Sequence, residues 1–491
     1  MLRRTTKRRR RAPADDLDRA LLTFDKRGRD TITLRSFLSG GCLVLGASSA
    51  GKTTSVCMAI VRGALNLGGA VVLTTVKPSD TEYFGAVCRR FAGVNPRILG
   101  IDDRFNPLAY AQRTGDPRRM AESLTDLACI PIRRSQQQGG ADPFWQTQAA
   151  SFIRALVTIA IVARQPLSYR WLHDSLLALQ GAIDPNDTAW QSSCPAFLAL
   201  RAASRRGLTA EEQEDLDQAA RFLLQAIPAM PEKTRASVVA TAVGPLGPLV
   251  AGAIGRAING TEDSWRPDEV LTAPGALILD MPTQVYGAEG ATVQRLLLTS
   301  IQRAILTRDL QRANHPIFLV VDEAHTLLDE TDAAFLSTAR DRRSAMVLAT
   351  QSVSNIRVAM SSARDSRSAA DAILALPGVR IIAASHDPET QAAACAWFAQ
   401  RRQPRISFGS NEQQNAPAGG LQNGAQHGRP GGRSMNVSRE WQPDVQPSEI
   451  AQLARGGPPN RFLVEAFIYD NGKVWRNGRL SYRAVFRQTL V

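Results

Sequence analysis

Gly46-Ala47-Ser48-Ser49-Ala50-Gly51-Lys52-Thr53 is the stretch that decides the fold. Its spacing is GxxxxGK[ST]. An apolar run, Cys42–Leu45, leads into it, and residues 53–67 follow with apolar residues at helical spacing, stopping near Gly68-Gly69. A glycine loop between a strand and a helix wraps its backbone N–H groups around phosphates. Gly46 and Gly51 allow the tight path that a Cβ would obstruct. Lys52 is placed to reach the β- and γ-phosphates and Thr53 to ligate Mg²⁺, so ATP and Mg²⁺ are the expected cofactors. The expected cradle is Gly46, Ala47, Ser48, Ser49, Ala50, Gly51, Lys52, Thr53 and Thr54. A chance match in a turn would lack the flanking strand and helix.

Residues 70–76 form a β-branched run of the kind a buried parallel strand needs. Strand, loop, helix and strand in that order make a βαβ unit. Further strands are expected at 97–101, 276–279, Ile317–Val321, 346–349 and 379–384, with helices at 290–310 and 332–341. Residues 17–24 read as a short helix, and 113–140 as a surface loop around a short helix. Residues 142–230 are rich in Ala, Leu, Gln and Arg at helical spacing, which predicts an inserted helical domain. Residues 403–438, rich in Gly, Gln, Asn, Pro and Ser, read as a flexible excursion. The chain should close with a hairpin of 462–468 and 473–482 turning at Asp470-Asn471-Gly472.

A phosphate loop needs a carboxylate partner at the end of an apolar strand. Ile317-Phe318-Leu319-Val320-Val321-Asp322-Glu323 fits. Asp322 would hold the Mg²⁺ water shell, and Glu323 would orient and polarise the attacking water. Two solvated acids at an ordinary strand end would look the same in isolation. Asp322-Glu323-Ala324-His325 spells DEAH, a helicase signature, but roughly 270 residues separate Lys52 from Asp322, far more than the compact lobe of those helicases needs. His325 is read as a packing or capping residue. Gln351, at the tip of the next strand, is a candidate γ-phosphate sensor. Ala339-Arg340-Asp341-Arg342-Arg343 could present an arginine to a neighbouring subunit's ATP; a solvated helix end is the alternative.

The composition, 44% hydrophobic and 21% charged, is that of a soluble globular protein. Six cysteines without CxxC spacing argue against a disulfide framework or a zinc site and fit small buried core residues in a reducing cytoplasm. The net charge is +14 and the pI about 10.1. Arg3, Arg4, Lys7, Arg8, Arg9, Arg10 and Arg11 make a basic head, either a solvated tail or an anchor for nucleic acid or anionic lipid. The basic balance of the rest tilts towards nucleic acid. Residues 237–255 carry no charge but hold Pro245, Pro248 and mostly small side chains, and 152–163 is short and includes Arg154. No integral membrane segment is therefore expected.

Together, GASSAGKTT, FLVVDEAH and ARDRRSAMVLATQS resemble the FtsK–HerA superfamily of ring ATPases. More narrowly, the chain is similar to the type IV secretion coupling proteins, the conjugative DNA pumps of the TraG/TraD kind. Val72-Leu73-Thr74-Thr75-Val76-Lys77-Pro78, Arg104-Phe105-Asn106-Pro107-Leu108, Asp142-Pro143-Phe144-Trp145, residues 381–391 and residues 447–453 resemble further segments of that family. The likeness runs patchily over 35–490, and only the nucleotide motifs are specific. It implies an α/β, RecA-like P-loop NTPase with a mainly parallel central sheet and an inserted all-α domain. It also implies a hexameric ring that moves DNA through a central channel. Lys52, Thr53, Asp322, Glu323 and Gln351 would take the roles above, with Arg340 facing the adjacent subunit's nucleotide. Relaxase or secretion-channel components are candidate partners, and the location implied is cytoplasmic, peripheral at the inner membrane.

The expected organisation is a basic tail at 1–30, the first part of the ATPase domain at 31–141, an inserted all-α domain at 142–262 and the second part of the ATPase domain at 263–400. A flexible insertion at 401–445 and a closing C-terminal segment at 446–491 complete it. Two other functions fit the same motifs: a ring ATPase energising protein secretion or pilus assembly, and a nucleotide-dependent cargo adaptor with little turnover.

Overall fold

Aliphatic and β-branched runs buried along their whole length belong in the middle of a sheet covered on both faces. The computed structural model describes residues 16–25, 27–136, 143–181, 183–361, 366–410 and 433–491. In chain order its strands are β1 (Ala20–Thr23), β2 (Thr31–Thr33), β3 (Cys42–Leu45), β4 (Ala70–Thr74), β5 (Arg97–Leu99), β6 (Gly275–Leu279) and β7 (Ile317–Val321). They continue with β8 (Ser344–Thr350), β9 (Val379–Ala383), β10 (Gln400–Ser410), β11 (Arg433–Pro443), β12 (Leu463–Asp470) and β13 (Tyr482–Arg487). Every residue of β3, β4, β7, β8 and β9 is buried. They form the centre of a nine-stranded sheet in the order β13-β12-β9-β3-β8-β7-β4-β6-β5.

From β9 to β5 the pairing is parallel; β12 runs antiparallel to both β9 and β13. β8 therefore lies between β3, which feeds the glycine loop, and β7, which ends at Asp322. The register sets Leu45 beside Thr350 and Val321 beside Leu348, so all three strands end at one edge. β13 is an edge strand with alternating exposure, and its Arg483 pairs with Glu465 of β12 at 2.8 Å. A charged edge of this kind discourages pairing with another chain.

Between β5 and β6 the described residues form helices and no strand. The longest, Pro143–Ala163 and Glu232–Val250, pack on one another. Phe152, Ile153, Leu156, Val157 and Ile159 supply the hub of this helical domain. Among the described residues one helix, Phe144–Ala163, is long and apolar enough to cross a membrane, and half of it is buried inside the protein. The uncharged run containing Pro245 and Pro248 lies in the helix Glu232–Val250, which bends by 90° into Gly252–Ile258, with Gly252 at φ +60° supplying the break.

Three expectations need correction. Residues 113–136 hold two packed helices, Met120–Ala128 and Ile130–Gln136, with Leu124, Leu127, Ala128, Ile130 and Ile132 buried, where 113–140 was expected to be a surface loop around one short helix. Residues 17–24 are mainly β1, not a helix. Leu21 and Leu22 are buried, and a Cβ on Gly63 would lie 2.3 Å from the Leu21 carbonyl, so the chain from Asp16 onward packs onto the body built around the nine-stranded sheet. The closing hairpin is real, but its second strand is Tyr482–Arg487, reached through residues 471–481. The segment expected to be flexible is framed by an antiparallel ribbon of β10 and β11; residues 411–432, like the basic head at 1–15, lie outside the described residues.

All six cysteines are free and buried. Burial raises the Cys57 thiol well above its ordinary pKa, so it is an inert core group. One buried ion pair braces the sheet's helical cover. Arg295, on the helix Thr283–Thr307, donates to both oxygens of Asp332 at 2.8 Å, and both side chains are fully buried. Gln302 Nε2 and the Asp329 N–H also donate to Asp332, so the carboxylate is fully used.

Candidate active site

The glycine loop begins where β3 ends. A Cβ on Gly46 would come within 2.8 Å of the Ala383 Cβ, and one on Gly51 within 2.6 Å of Val464 Cγ2. Gly51 also sits at φ +78°, a left-handed conformation that suits glycine. The helix opens with a widened π-type turn, Lys52–Cys57, then continues as Met58–Asn66; such turns recur at functional sites. Among the described residues no hydrogen bond uses the N–H groups of Ser48, Ser49, Gly51, Lys52 or Thr53. Donors left unpaired at a helix N-terminus suit the oxygens of a polyphosphate. Lys52 is buried at 5% exposure, and its Nζ donates to the carbonyls of Gly46 at 2.8 Å and Ala47 at 3.2 Å. The ammonium is therefore already curled over the cradle.

Thr53 Oγ1 donates to Asp322 Oδ2 at 2.5 Å, although 269 residues separate them. The two groups expected to hold one metal ion are thus in direct contact. Burial raises the Asp322 pKa, while the hydrogen bond from Thr53 opposes the rise. Oxygen donors of this kind, a hydroxyl and a buried carboxylate, suit Mg²⁺. The Asp322 N–H donates to Thr74 Oγ1 of β4 at 3.2 Å, which fixes the end of the strand.

Glu323 adopts φ 44°, ψ 49°, left-handed for a residue with a Cβ. Such a conformation costs on the order of 1–3 kcal/mol and persists only where the surroundings impose it. Here Thr326 imposes it, donating from N and Oγ1 to the Glu323 carbonyl at 2.8 and 2.9 Å. Gln351 Nε2 lies 3.3 and 3.4 Å from the two Glu323 oxygens. The expected sensor and the expected water-polarising carboxylate therefore touch. His325 Nδ1 is 3.0 Å from Thr350 Oγ1 and 3.5 Å from Glu323 Oε2. Burial lowers its pKa, against the pull of Glu323, so it is neutral near pH 7.

The structure brings together Lys52, Thr53, Asp322, Glu323 and Gln351, and leaves Arg340 apart. Arg340 is exposed in the short helical turn Ala339–Arg342 that precedes β8, at the opposite end of the strand from the glycine loop. Thr54, expected in the phosphate cradle, turns its hydroxyl towards the C-terminus. Gln488 Nε2 donates to Thr54 Oγ1 at 2.8 Å, and the Thr489 N–H donates to the Thr54 carbonyl at 2.7 Å. Gln488 Oε1 accepts from the Gly457 N–H at 2.7 Å, and Tyr83 OH donates to the Thr489 carbonyl at 2.9 Å. This brace on the phosphate-loop helix was missed. A glutamine 434 residues away gives no local signal.

Removing the brace should loosen ATP binding without touching the chemistry. Gln488→Ala loses two hydrogen bonds, each contributing about 1 kcal/mol. The KM for ATP should rise about fivefold or more, with kcat changed less than twofold; steady-state kinetics on the purified protein checks the split.

Comparison with known proteins bears on this arrangement. No curated protein matches the sequence. Solved structures do match in fold. The unbound bacterial conjugative coupling protein TrwBdeltaN70 is 15% identical, with 93% of this chain and 88% of that one covered and a TM-score of 0.53. The plasmid coupling protein TrwB in complex with GDPNP is 14% identical, with 93% and 89% covered and a TM-score of 0.54. The same protein in complex with ADP and Mg²⁺ is 14% identical, with 94% and 87% covered and a TM-score of 0.51. These likenesses establish a common fold, consistent with the phosphate-loop sheet and inserted helices described above. Residues 4–391 match the family described as Type IV secretory system Conjugative DNA transfer, and the chain belongs to that family.

Proposed function

We propose that the chain is an ATP-hydrolysing motor that translocates DNA during conjugative transfer, working as a homo-oligomeric, hexameric ring in the cytoplasm at the inner membrane. The observation that carries the enzymatic reading is the contact of Thr53 with Asp322, beside a loop in which the N–H groups of Ser48, Ser49, Gly51, Lys52 and Thr53 have no partner among the described residues. Solved structures of the similar protein TrwB with ADP and Mg²⁺ or with an ATP analogue support ATP and Mg²⁺ as its ligands.

Each residue has a physical task. The loop N–H groups and Lys52 hold the triphosphate and compensate its charge. Thr53 and Asp322 would hold Mg²⁺, which would supply positive charge against the negative charge of the phosphates. Glu323, fixed in its left-handed turn, orients a water and accepts its proton as the water oxygen bonds to the γ-phosphorus and the bond from that phosphorus to the β–γ bridging oxygen breaks, leaving ADP and phosphate. Gln351, bonded to Glu323, reports the γ-phosphate to that carboxylate. Arg340 would complete the site of the adjacent subunit, which makes hydrolysis depend on assembly.

DNA as the cargo is supported by the family and by the net charge of +14. Contact through phosphates is sequence-independent and releases counterions. ATPase activity should therefore rise several-fold on adding single- or double-stranded DNA at low salt, and the stimulation should fade steeply as salt increases. A coupled ATPase assay across a salt series tests this. Unstimulated turnover at low salt would overturn the DNA motor and favour a protein cargo.

A further inference from the structure

Arg134 lies in the helix Ile130–Gln136, which stands between the helical domain and the sheet. One side of this helix packs on Glu232–Val250 of the helical domain, the other on Thr283–Thr307 over the sheet. Arg134 is buried at 9% exposure and reaches across to the catalytic loop, where its Nη2 donates to the Thr326 carbonyl at 2.6 Å. Thr326 is the residue whose N–H and hydroxyl hold the Glu323 carbonyl. Arg133, its neighbour, approaches Asp329 at 3.4 Å. One helix thus grips both ends of the turn that follows the carboxylate pair.

Arg134 occupies an expensive position. No carboxylate lies within ion-pair distance of it among the described residues, and its Nε and Nη1 have no hydrogen-bond partner there. Burial, with Arg295 nearby, pulls its pKa down to about 10. An apolar side chain of similar length would avoid that desolvation cost, so stability alone does not account for a guanidinium here.

We infer that Arg134 is a positioning residue for hydrolysis, holding the Thr326 turn so that the Glu323 carboxylate faces the attacking water. This rests on the reading of Glu323 as the water-polarising group. The contact chain Arg134, Thr326, Glu323 is also a physical link by which a shift of the helical domain would reach the chemistry.

The test uses the full chain in four forms: Arg134→Met, Arg134→Lys, Glu323→Gln, and Glu323→Gln combined with Arg134→Met. In Arg134→Met, kcat should fall at least about tenfold, because small displacements of a catalytic group are costly. Its KM for ATP and its affinity for a fluorescent ATP analogue should stay within about twofold of the parent. Arg134→Lys, which keeps a donor for the Thr326 carbonyl, should recover part of the rate. On the Glu323→Gln background Arg134→Met should cost nothing further, since there is no carboxylate left to aim. Unchanged kcat in Arg134→Met, loss of nucleotide affinity alongside kcat in both Arg134 variants, or an additive loss in the double variant would each overturn the positioning role. Unchanged turnover in Glu323→Gln would sink the catalytic assignment itself, whereas a silent Arg134→Met beside an inactive Glu323→Gln sinks only the inference about Arg134.

Discussion

Glu323→Gln should lower the rate of ATP hydrolysis by about a thousandfold while leaving ATP affinity within about twofold. The amide keeps the volume of the carboxylate and can still hydrogen-bond to Gln351, 3.3 Å away in the parent. What it loses is the capacity to accept a proton from water. Glu323 is also separate from the groups proposed to grip the triphosphate, since Lys52 and Thr53 belong to the loop and Asp322 accepts from Thr53. The effect should therefore fall on kcat, with KM and the binding of a non-hydrolysed analogue preserved. Asp322→Asn makes the contrast: it removes charge from the proposed metal site, so it should weaken Mg²⁺-dependent nucleotide binding as well as turnover. A rate within about tenfold of the parent in Glu323→Gln would place the proton acceptor elsewhere. Single-turnover ATPase and equilibrium binding of an ATP analogue separate these outcomes.

The central sheet was legible because its strands are buried on both faces. Ile317–Val321 and Cys42–Leu45 are unbroken apolar runs whose observed bounds match the expected ones, and each feeds a polar motif at the same edge. The glycine loop was legible because its spacing is dictated by phosphate geometry. Other features leave little local trace. Met120–Ala128 and Ile130–Gln136 are short, with arginines just before the first and inside the second, so their buried stripe of Leu124, Leu127 and Ile130 is diluted below a helical signal. β1 has only the adjacent pair Leu21-Leu22, which has no period to read. The left-handed turn at Glu323 depends on Thr326 and, through it, on Arg134 far upstream. The brace from Gln488 to Thr54 depends on how β12 and β13 close the sheet. Local composition reports burial and loop chemistry; it does not report which distant side chain holds a loop in place.

Arg340→Ala should reduce hydrolysis about a thousandfold in the assembled protein, with nucleotide binding retained, if Arg340 acts on the neighbouring subunit's phosphates. The fold makes action within its own chain untenable. Arg340 precedes β8, while Gln351 follows it, and a strand of seven residues spans roughly 20 Å. Its side chain is exposed and has no hydrogen bond or ion pair among the described residues, so its removal should cost the fold little. Head-to-tail contact in a ring places a different surface patch of each subunit against its neighbour, which permits a trans arrangement. Complementation distinguishes trans action from a local structural effect. Arg340→Ala subunits keep Glu323, and Glu323→Gln subunits keep Arg340, so each is inactive alone. Mixed at equal concentration and allowed to exchange, about a quarter of the interfaces in a ring would pair an intact Arg340 with an intact Glu323. Activity should then return to roughly that fraction of the parent rate. Two inactive preparations that remain inactive on mixing, under conditions where labelled subunits demonstrably exchange, would mean that Arg340 does not serve the adjacent site and that another arginine of the same turn, Arg342 or Arg343, must be examined instead. Arg343 is already engaged by Asp16 at 2.5 Å, and the Arg342 guanidinium donates to the Arg308 carbonyl at 3.2 Å. That leaves Arg340 as the guanidinium of this turn with the fewest ties to its own chain, which is the property a side chain donated to a neighbour requires.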